Sequence, residues 1–253
     1  MTRECKSDYA LLSDYITSYS ISQNLQATAY VDNLKNMHKC YFALITWNAE
    51  LNHAKADFLL NNTNCNVEII LRLTEVVSDI RSALFNWING SYKTSRIMIR
   101  TGLENFVRAV SAIDNKAQLV ETNVYKLFEN ADEITIFKSQ EAIADAYSQL
   151  HSDYKILCSD THTATIVNME QLSSLAGLPS FEKRKAADTK DIFVRVVNNM
   201  NTIFCLHFNS FYHSFHHRNK ENIAHALSKE SRALMMDPKI IVQAAPDLSH
   251  KSL

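Results

Sequence analysis

Glycine and proline are nearly missing from this chain: its 253 residues include 3 of each. Strand-rich and α/β folds place both residues in many turns, so their scarcity points to long helices joined by few connections. Cysteine is sparse as well. Cys5, Cys40, Cys65, Cys158 and Cys205 are odd in number and widely scattered, with no CxxC pair. That argues against a disulfide framework or a structural zinc module and for reduced thiols. There is no surplus of charge: 26 Lys and Arg stand against 27 Asp and Glu, a formal net charge of −1. Without a molecule-wide attractive field, any contact with nucleic acid has to be local. No basic leader followed by an apolar stretch opens the sequence, and no run of about 18 apolar residues occurs. The expectation is a soluble, cytoplasmic protein with no membrane partner. Glycine-rich phosphate loops and a Gly-x-Ser-x-Gly elbow are absent too, which argues against the familiar routes of nucleotide hydrolysis.

What is present is helical periodicity over a composition that is 46% apolar. Residues 25–60 carry Met37, Tyr41 and Leu44, then Ala43, Trp47 and Leu51, at helical spacing. The polar cluster Asn61-Asn62-Thr63-Asn64 interrupts them, with Thr63 or Asn64 as the expected N-cap of the next helix. That helix covers 67–87 through Ile70, Leu71, Val77, Ile80 and Leu84, and Asn89-Gly90 stops it. A third begins near Ser91 and carries Ile99, Leu103, Phe106, Val110 and Ile113. A fourth is expected over 116–130 and a fifth over 140–160. Residues 161–185, with Gly177 and Pro179, read as a long connection. Two C-terminal helices follow at 187–215 and 219–236. The pattern predicts an all-α bundle of about six or seven helices. Residues 25–236 form its single domain. Residues 1–24 are a weakly ordered N-terminal segment, with a short helix around Tyr9–Tyr19 or loose packing, and residues 237–253 a flexible tail.

One segment suggests a chemistry: Arg218-Asn219-Lys220-Glu221-Asn222-Ile223-Ala224-His225. Arginine offers a fixed positive charge and histidine a proton-transfer group, the two needs of metal-free RNA cleavage. Seven positions make nearly two helical turns, so on one straight helix both side chains share a face roughly 10 Å apart along the axis. Two copies crossing at a symmetric dimer interface bring Arg and His together; alternatively, the helix begins after Arg218.

This segment resembles the Arg-x(4–6)-His signature of the HEPN superfamily of helical bundles. Upstream, Arg96-Ile-Met-Ile-Arg100-Thr-Gly-Leu-Glu104-Asn-Phe-Val-Arg108 resembles the R-x-x-x-E helix of bacterial HEPN-like proteins. Tyr154-Lys-Ile-Leu157-Cys-Ser-Asp-Thr-His162 is similar to a YxxL…H segment of the same class. The resemblance implies a HEPN-like fold and a metal-independent endoribonuclease, acting as a homodimer without a cofactor. It also implies a toxin or phage-defence effector, with an antitoxin or other protein as a possible partner and RNA as substrate. His225 would handle protons, Arg218 would stabilise charge on the crowded phosphate, and Asn219 would orient the phosphate or the imidazole. The contrasting expectation is a catalytically inactive helical module for protein interaction or oligomerisation, with these residues in structural roles.

Three further groups bear on the site. His213, His217, Glu221 and His225 recur every four residues beside His207 and His216, a stripe with a zinc option. Without HExxH or a cysteine pair, and among Phe208, Phe211, Tyr212 and Phe215, a half-buried helix end with capping or stacking imidazoles is expected instead, and no metal. A gentler option makes the aromatics stacking platforms for RNA. Arg96, Arg100, Glu104 and Arg108 also repeat every four; Arg100–Glu104 reads as an ion pair organising the bundle, or as support for the site with Glu104 holding Arg218 or His225. Lys183-Arg184-Lys185, on the long connection, is the candidate for phosphate contacts with substrate. His162 reads as a helix cap.

Overall fold

One long helical hairpin rests on Asn66, Gly90 and Gly102. Asn66 accepts a hydrogen bond from the Ile69 N–H at 2.9 Å and so caps α4 (Val67–Ile88); the cap is Asn66 rather than Thr63 or Asn64. Gly90, with φ of 76°, turns the chain where a side chain would be strained. The helix that follows, α5 (Tyr92–Asp114), returns along α4, and the two make the most extensive helix pair among the described residues. Gly102 permits that approach: a Cβ there would lie 3.1 Å from Ile80 Cδ1 and 3.3 Å from Asp79 Cβ.

The structure is a computed structural model that describes residues 1–18, 21–161 and 181–237. Among the described residues it has twelve α-helices, two short 3₁₀ turns and no strand. Besides α4 and α5, the α-helices are α1 (Arg3–Ser18), α2 (Thr28–His53), α3 (Lys55–Asn61), α6 (Val124–Ala131), α7 (Thr135–Lys138), α8 (Glu141–Thr161), α9 (Lys183–His207), α10 (Asn209–Ser214), α11 (His217–Ala226) and α12 (Lys229–Met235). Four long helices close a ring, α2 on α4, α4 on α5, α5 on α9 and α9 on α2, with α8 packed outside on α5 and α9. No helix among the described residues is long and apolar enough to cross a membrane.

Aromatic side chains fill the ring. Trp47 packs edge-on to Phe215 at 4.9 Å and beside Phe204 at 5.6 Å, and its indole N–H donates to the Cys205 sulfur at 3.3 Å. Trp87 stacks on Tyr30 at 4.9 Å and donates to the Ala186 carbonyl at 2.9 Å. Buried indoles need such partners, because an unsatisfied N–H in the core is costly. Between α8 and α9, Arg195 grips Asp153 through Nε at 3.0 and 2.9 Å, with the carboxylate fully buried.

Periodicity found the long helices but not their interruptions. The helix expected over 116–130 is divided by two asparagine caps: Asn115 opens the 3₁₀ turn Lys116–Leu119 and Asn123 opens α6. The one expected over 187–215 begins earlier and breaks at Phe208, so Lys183, Arg184 and Lys185 form the first turn of α9 instead of lying on a connection. The one expected over 219–236 is split by Ser228, which caps α12. Helix count therefore exceeds six or seven, although only α1, α2, α4, α5, α8 and α9 reach 16 residues.

Of the two options for the N-terminal segment, residues 3–18 take the helical one. Cys5 and Ile16 of α1 are buried. His38 of α2 donates from Nε2 to Asp8 at 2.6 Å, while its Nδ1 lies 3.6 Å from the Cys5 sulfur. Residues 162–180, with His162, and the tail from 238 to 253 lie outside the described residues.

Candidate functional site

The turn into α11 is built by a buried aromatic. Phe215, extended at φ −65° and ψ 154°, inserts against Trp47 and ends α10. His216 then caps α11: its Nδ1 accepts from the Arg218 N–H at 3.4 Å, and its carbonyl accepts from the Asn219 and Lys220 N–H groups at 3.0 and 3.1 Å. Two bonds brace the corner, Tyr212 Oη to the Lys220 carbonyl at 3.1 Å and Lys220 Nζ to the His213 carbonyl at 3.2 Å. Asn222, Ile223 and Ala226 are buried, and α11 packs extensively on α2. Two of its surfaces remain for chemistry.

The first surface carries Arg218, Asn222 and His225, spaced by four and then three residues and therefore aligned. The N-terminal residues run along it. Arg218 Nη1 is 4.0 Å from Glu4 Oε1, Asn222 Oδ1 accepts from the Thr2 hydroxyl, and His225 Nε2 accepts from the Met1 amine at 2.8 Å. Partial burial lowers the pKa of His225 from 6.5, and the positive charges of the amine, Lys39 and Arg232 push the same way against Glu221. Arg218 and His225, each exposed, thus share one side of the helix, as expected for a continuous helix, but do not meet within one protomer. Their separation along the axis is roughly 10 Å.

Asn219 faces elsewhere. Its amide donates to Glu50 Oε1 across to α2, inside an open cleft of about 480 Å³ lined by Ala49, Glu50, His53, Ser214, His216 and Asn219. Glu50 and His53 were not singled out from sequence. Their Glu-x-x-His spacing at the end of α2 was visible, but nothing in the linear chain ties residue 50 to residue 219.

The other predicted residues lie on other elements. Arg100 and Glu104 pair at 3.0 Å on α5, where Arg100 also donates to Tyr154 Oη of α8 at 3.1 Å and its guanidinium carbon sits 5.3 Å from the ring centroid. Burial raises the Glu104 pKa, opposed by Arg100, Tyr154 and Arg108. Two segments quoted for the resemblance are thereby joined as a seam between α5 and α8, while the carboxylate beside Arg218 is Glu4. Lys183 to Lys185 are exposed, with Lys185 3.1 Å from Glu182 and Arg184 4.0 Å from Asp188.

The break at Phe215 places His213 on α10 and His217 on α11, so the histidine stripe is not continuous. Among the described residues no group of three or more His, Cys, Asp or Glu is arranged to hold a metal ion. Phe208, Tyr212 and Phe215 are core residues, 6%, 3% and 4% exposed, which removes them as stacking platforms. His216 caps α11, whereas His213 lies edge-on to the Tyr212 ring at 5.2 Å and binds the Met235 carbonyl at 3.0 Å. No protein-family model, curated protein or solved structure matches this chain.

Proposed function

We propose that this chain is a metal-independent endoribonuclease of the HEPN type, working as a homodimer, with Arg218, Asn219 and His225 as its reacting set. The observation that supports it is the placement of Arg218 and His225, each exposed, on one side of a single ten-residue helix. In this reaction a base takes the proton of a ribose 2′-hydroxyl, the 2′-oxygen bonds to phosphorus, and the bond to the 5′-oxygen breaks with a proton delivered to it. The products are a 2′,3′-cyclic phosphate and a 5′-hydroxyl. His225, with its lowered pKa, holds the unprotonated nitrogen that a base requires at neutral pH. Arg218 supplies a permanent charge for the pentacoordinate phosphate, and Asn219, on the other surface of α11 beside Glu50, acts on the bound nucleotide there. The span of roughly 10 Å is too long for one phosphate, so Arg218 of one protomer works with His225 of its partner across a two-fold axis. Lys183, Arg184 and Lys185 add phosphate contacts, Arg100 and Glu104 brace the bundle, and the cellular role is that of a cytoplasmic toxin or defence effector held by an antitoxin.

The test is cleavage of single-stranded RNA by the purified chain in excess chelator. His225→Ala is expected to lower the rate at least ~10²-fold with an unchanged thermal melt. In wild type the rate falls on acidification at a pH below the ordinary imidazole value of 6.5, because the lowered pKa keeps the base unprotonated until then. Absence of cleavage by the wild-type chain ends this reading. One observation favours a second: Arg218, Asn219 and His225 each already have a partner within the chain, in Glu4, Glu50 and the Met1 amine. In that reading the chain is a catalytically silent module for protein interaction or oligomerisation, and His225→Ala lowers stability while no RNA is cut.

A further inference from the structure

We propose that the cleft between the end of α2 and the start of α11 is a guanine-binding pocket in which Glu50 reads the base. Its volume of about 480 Å³ lies within the range of small-molecule sites, about 300 to 1,000 Å³. Its walls carry one carboxylate, one amide, one hydroxyl and two imidazoles beside the methyl group of Ala49. That composition suits a flat, polar ring better than a hydrocarbon.

The carboxylate decides which ring. Glu50 already accepts an amide N–H from Asn219, so it serves as an acceptor between the two helices. Guanine is the one common base whose Watson–Crick edge presents two adjacent donors, N1–H and N2–H₂, a match for the two oxygens of a carboxylate. Adenine and cytosine put a ring lone pair next to their amino group, and uracil flanks its single N–H with carbonyls. Each of those sets lone pairs against the negative charge of Glu50. When guanine takes the carboxylate, the Asn219 amide is released to donate to guanine O6. The imidazoles of His53 and His216 line the cleft and are the rings it offers a base for stacking, and the His217 ring lies beside His216, tilted by 45° with centroids 4.1 Å apart.

Recognition of guanine itself stands on the cleft alone; its use on RNA rests on the ribonuclease reading, in which the pocket selects the nucleotide presented to α11. Two sources offer the same chemistry, a free guanine nucleotide and a guanine within single-stranded RNA. The full chain is therefore titrated by calorimetry with guanosine 5′-monophosphate, adenosine 5′-monophosphate, and two RNA oligomers that differ only in one guanine. The guanosine nucleotide is expected to bind at least about tenfold more tightly than the adenosine one, because the wrong edge leaves the carboxylate opposed and unpaired. Glu50→Gln sets a carboxamide donor against a guanine donor and is expected to remove that preference while leaving the thermal melt unchanged. His216→Ala is expected to weaken guanosine binding severalfold through lost stacking.

Equal binding of the two nucleotides, no binding of guanosine nucleotide at millimolar concentration, or an undiminished preference in Glu50→Gln would each overturn the pocket. The two readings fail separately. Guanine-selective, Glu50-dependent binding by a chain that cuts no RNA keeps the pocket and removes the nuclease. Cleavage indifferent to guanine, with no nucleotide preference, does the reverse. A free nucleotide that binds while the guanine-bearing oligomer does not assigns the pocket to the free ligand.

Discussion

At Asp79, 8% exposed on α4, burial lifts the carboxyl pKa from 3.8 to about 6, against the pull of the Asn105 amide that donates to it at 2.9 Å. Glu75 and Glu104 add to the rise. The folded chain therefore prefers the protonated acid, whereas the unfolded chain ionises near 3.8. Below that pH both states hold the proton and the site contributes no difference. As pH climbs from about 4 to about 6 the unfolded state loses its proton first, so stability falls, and the full penalty remains above pH 6. Asp79→Asn removes the ionisation but keeps an oxygen to accept from Asn105. It is expected to raise stability at pH 7 by on the order of 2 kcal/mol, a gain that vanishes below about pH 4. Thermal melts of the two proteins across pH 3 to 8 read this directly, and a gain that is the same at both ends would mean that charge is not its cause.

Between elements, the bond that holds α8 to α9 concentrates on one buried carboxylate. Asp153 is wholly buried and accepts from both Nε and Nη2 of Arg195, which is 38% exposed. Removing the carboxylate leaves a guanidinium without its counter-charge and an unfilled space, so Asp153→Ala is expected to cost about 3 kcal/mol. Asp153→Asn, which keeps the volume and one acceptor, should cost clearly less. Denaturant unfolding of both variants measures the difference, and equal losses would assign the effect to packing. Arg195 and Asp153 were not legible as a pair, because their bond spans two helices. The helices themselves were legible. Each of α2, α4, α5, α8 and α9 buries one stripe of apolar side chains, and a stripe leaves a period. The breaks at Asn115, Asn123 and Ser228 depend on side-chain caps, which spacing does not register. The site divides the same way. Arg218 and His225 could be placed on one helix face from their separation alone. Glu50 and His53 came beside Asn219 only through packing of α11 on α2, and Glu4 and Thr2 beside Arg218 and Asn222 only because residues 1–4 cross that helix.

For the whole molecule, the decisive competition is over the Arg218–His225 face. Residues 1–4 occupy it, and a symmetric pair of α11 helices needs the same surface. The occupancy is light. Glu4 and Arg218 are 4.0 Å apart, with side chains 39% and 63% exposed, and an ion pair in such surroundings contributes at most about 1 kcal/mol. The hydroxyl bond from Thr2 to Asn222 and the exposed bond from the Met1 amine to His225 each add a comparable amount, about 1 kcal/mol. With a net charge of −1, no strong like-charge field opposes association of two copies. Thr2→Ala combined with Glu4→Gln loosens the segment without touching Arg218, Asn219 or His225. In the dimeric reading it is expected to tighten self-association by up to about tenfold, since 1.4 kcal/mol corresponds to that factor. RNA cleavage per chain rises with it at concentrations below the wild-type dissociation constant. Sedimentation velocity over a concentration series reads the first effect, and the chelator-treated cleavage assay the second. If the double variant and the wild type both stay monomeric at millimolar concentration, Arg218 and His225 never meet across an axis. A chain whose two reacting groups stay roughly 10 Å apart on one helix has no route to a single phosphate. The resemblance to the ribonucleases would then extend no further than their helices.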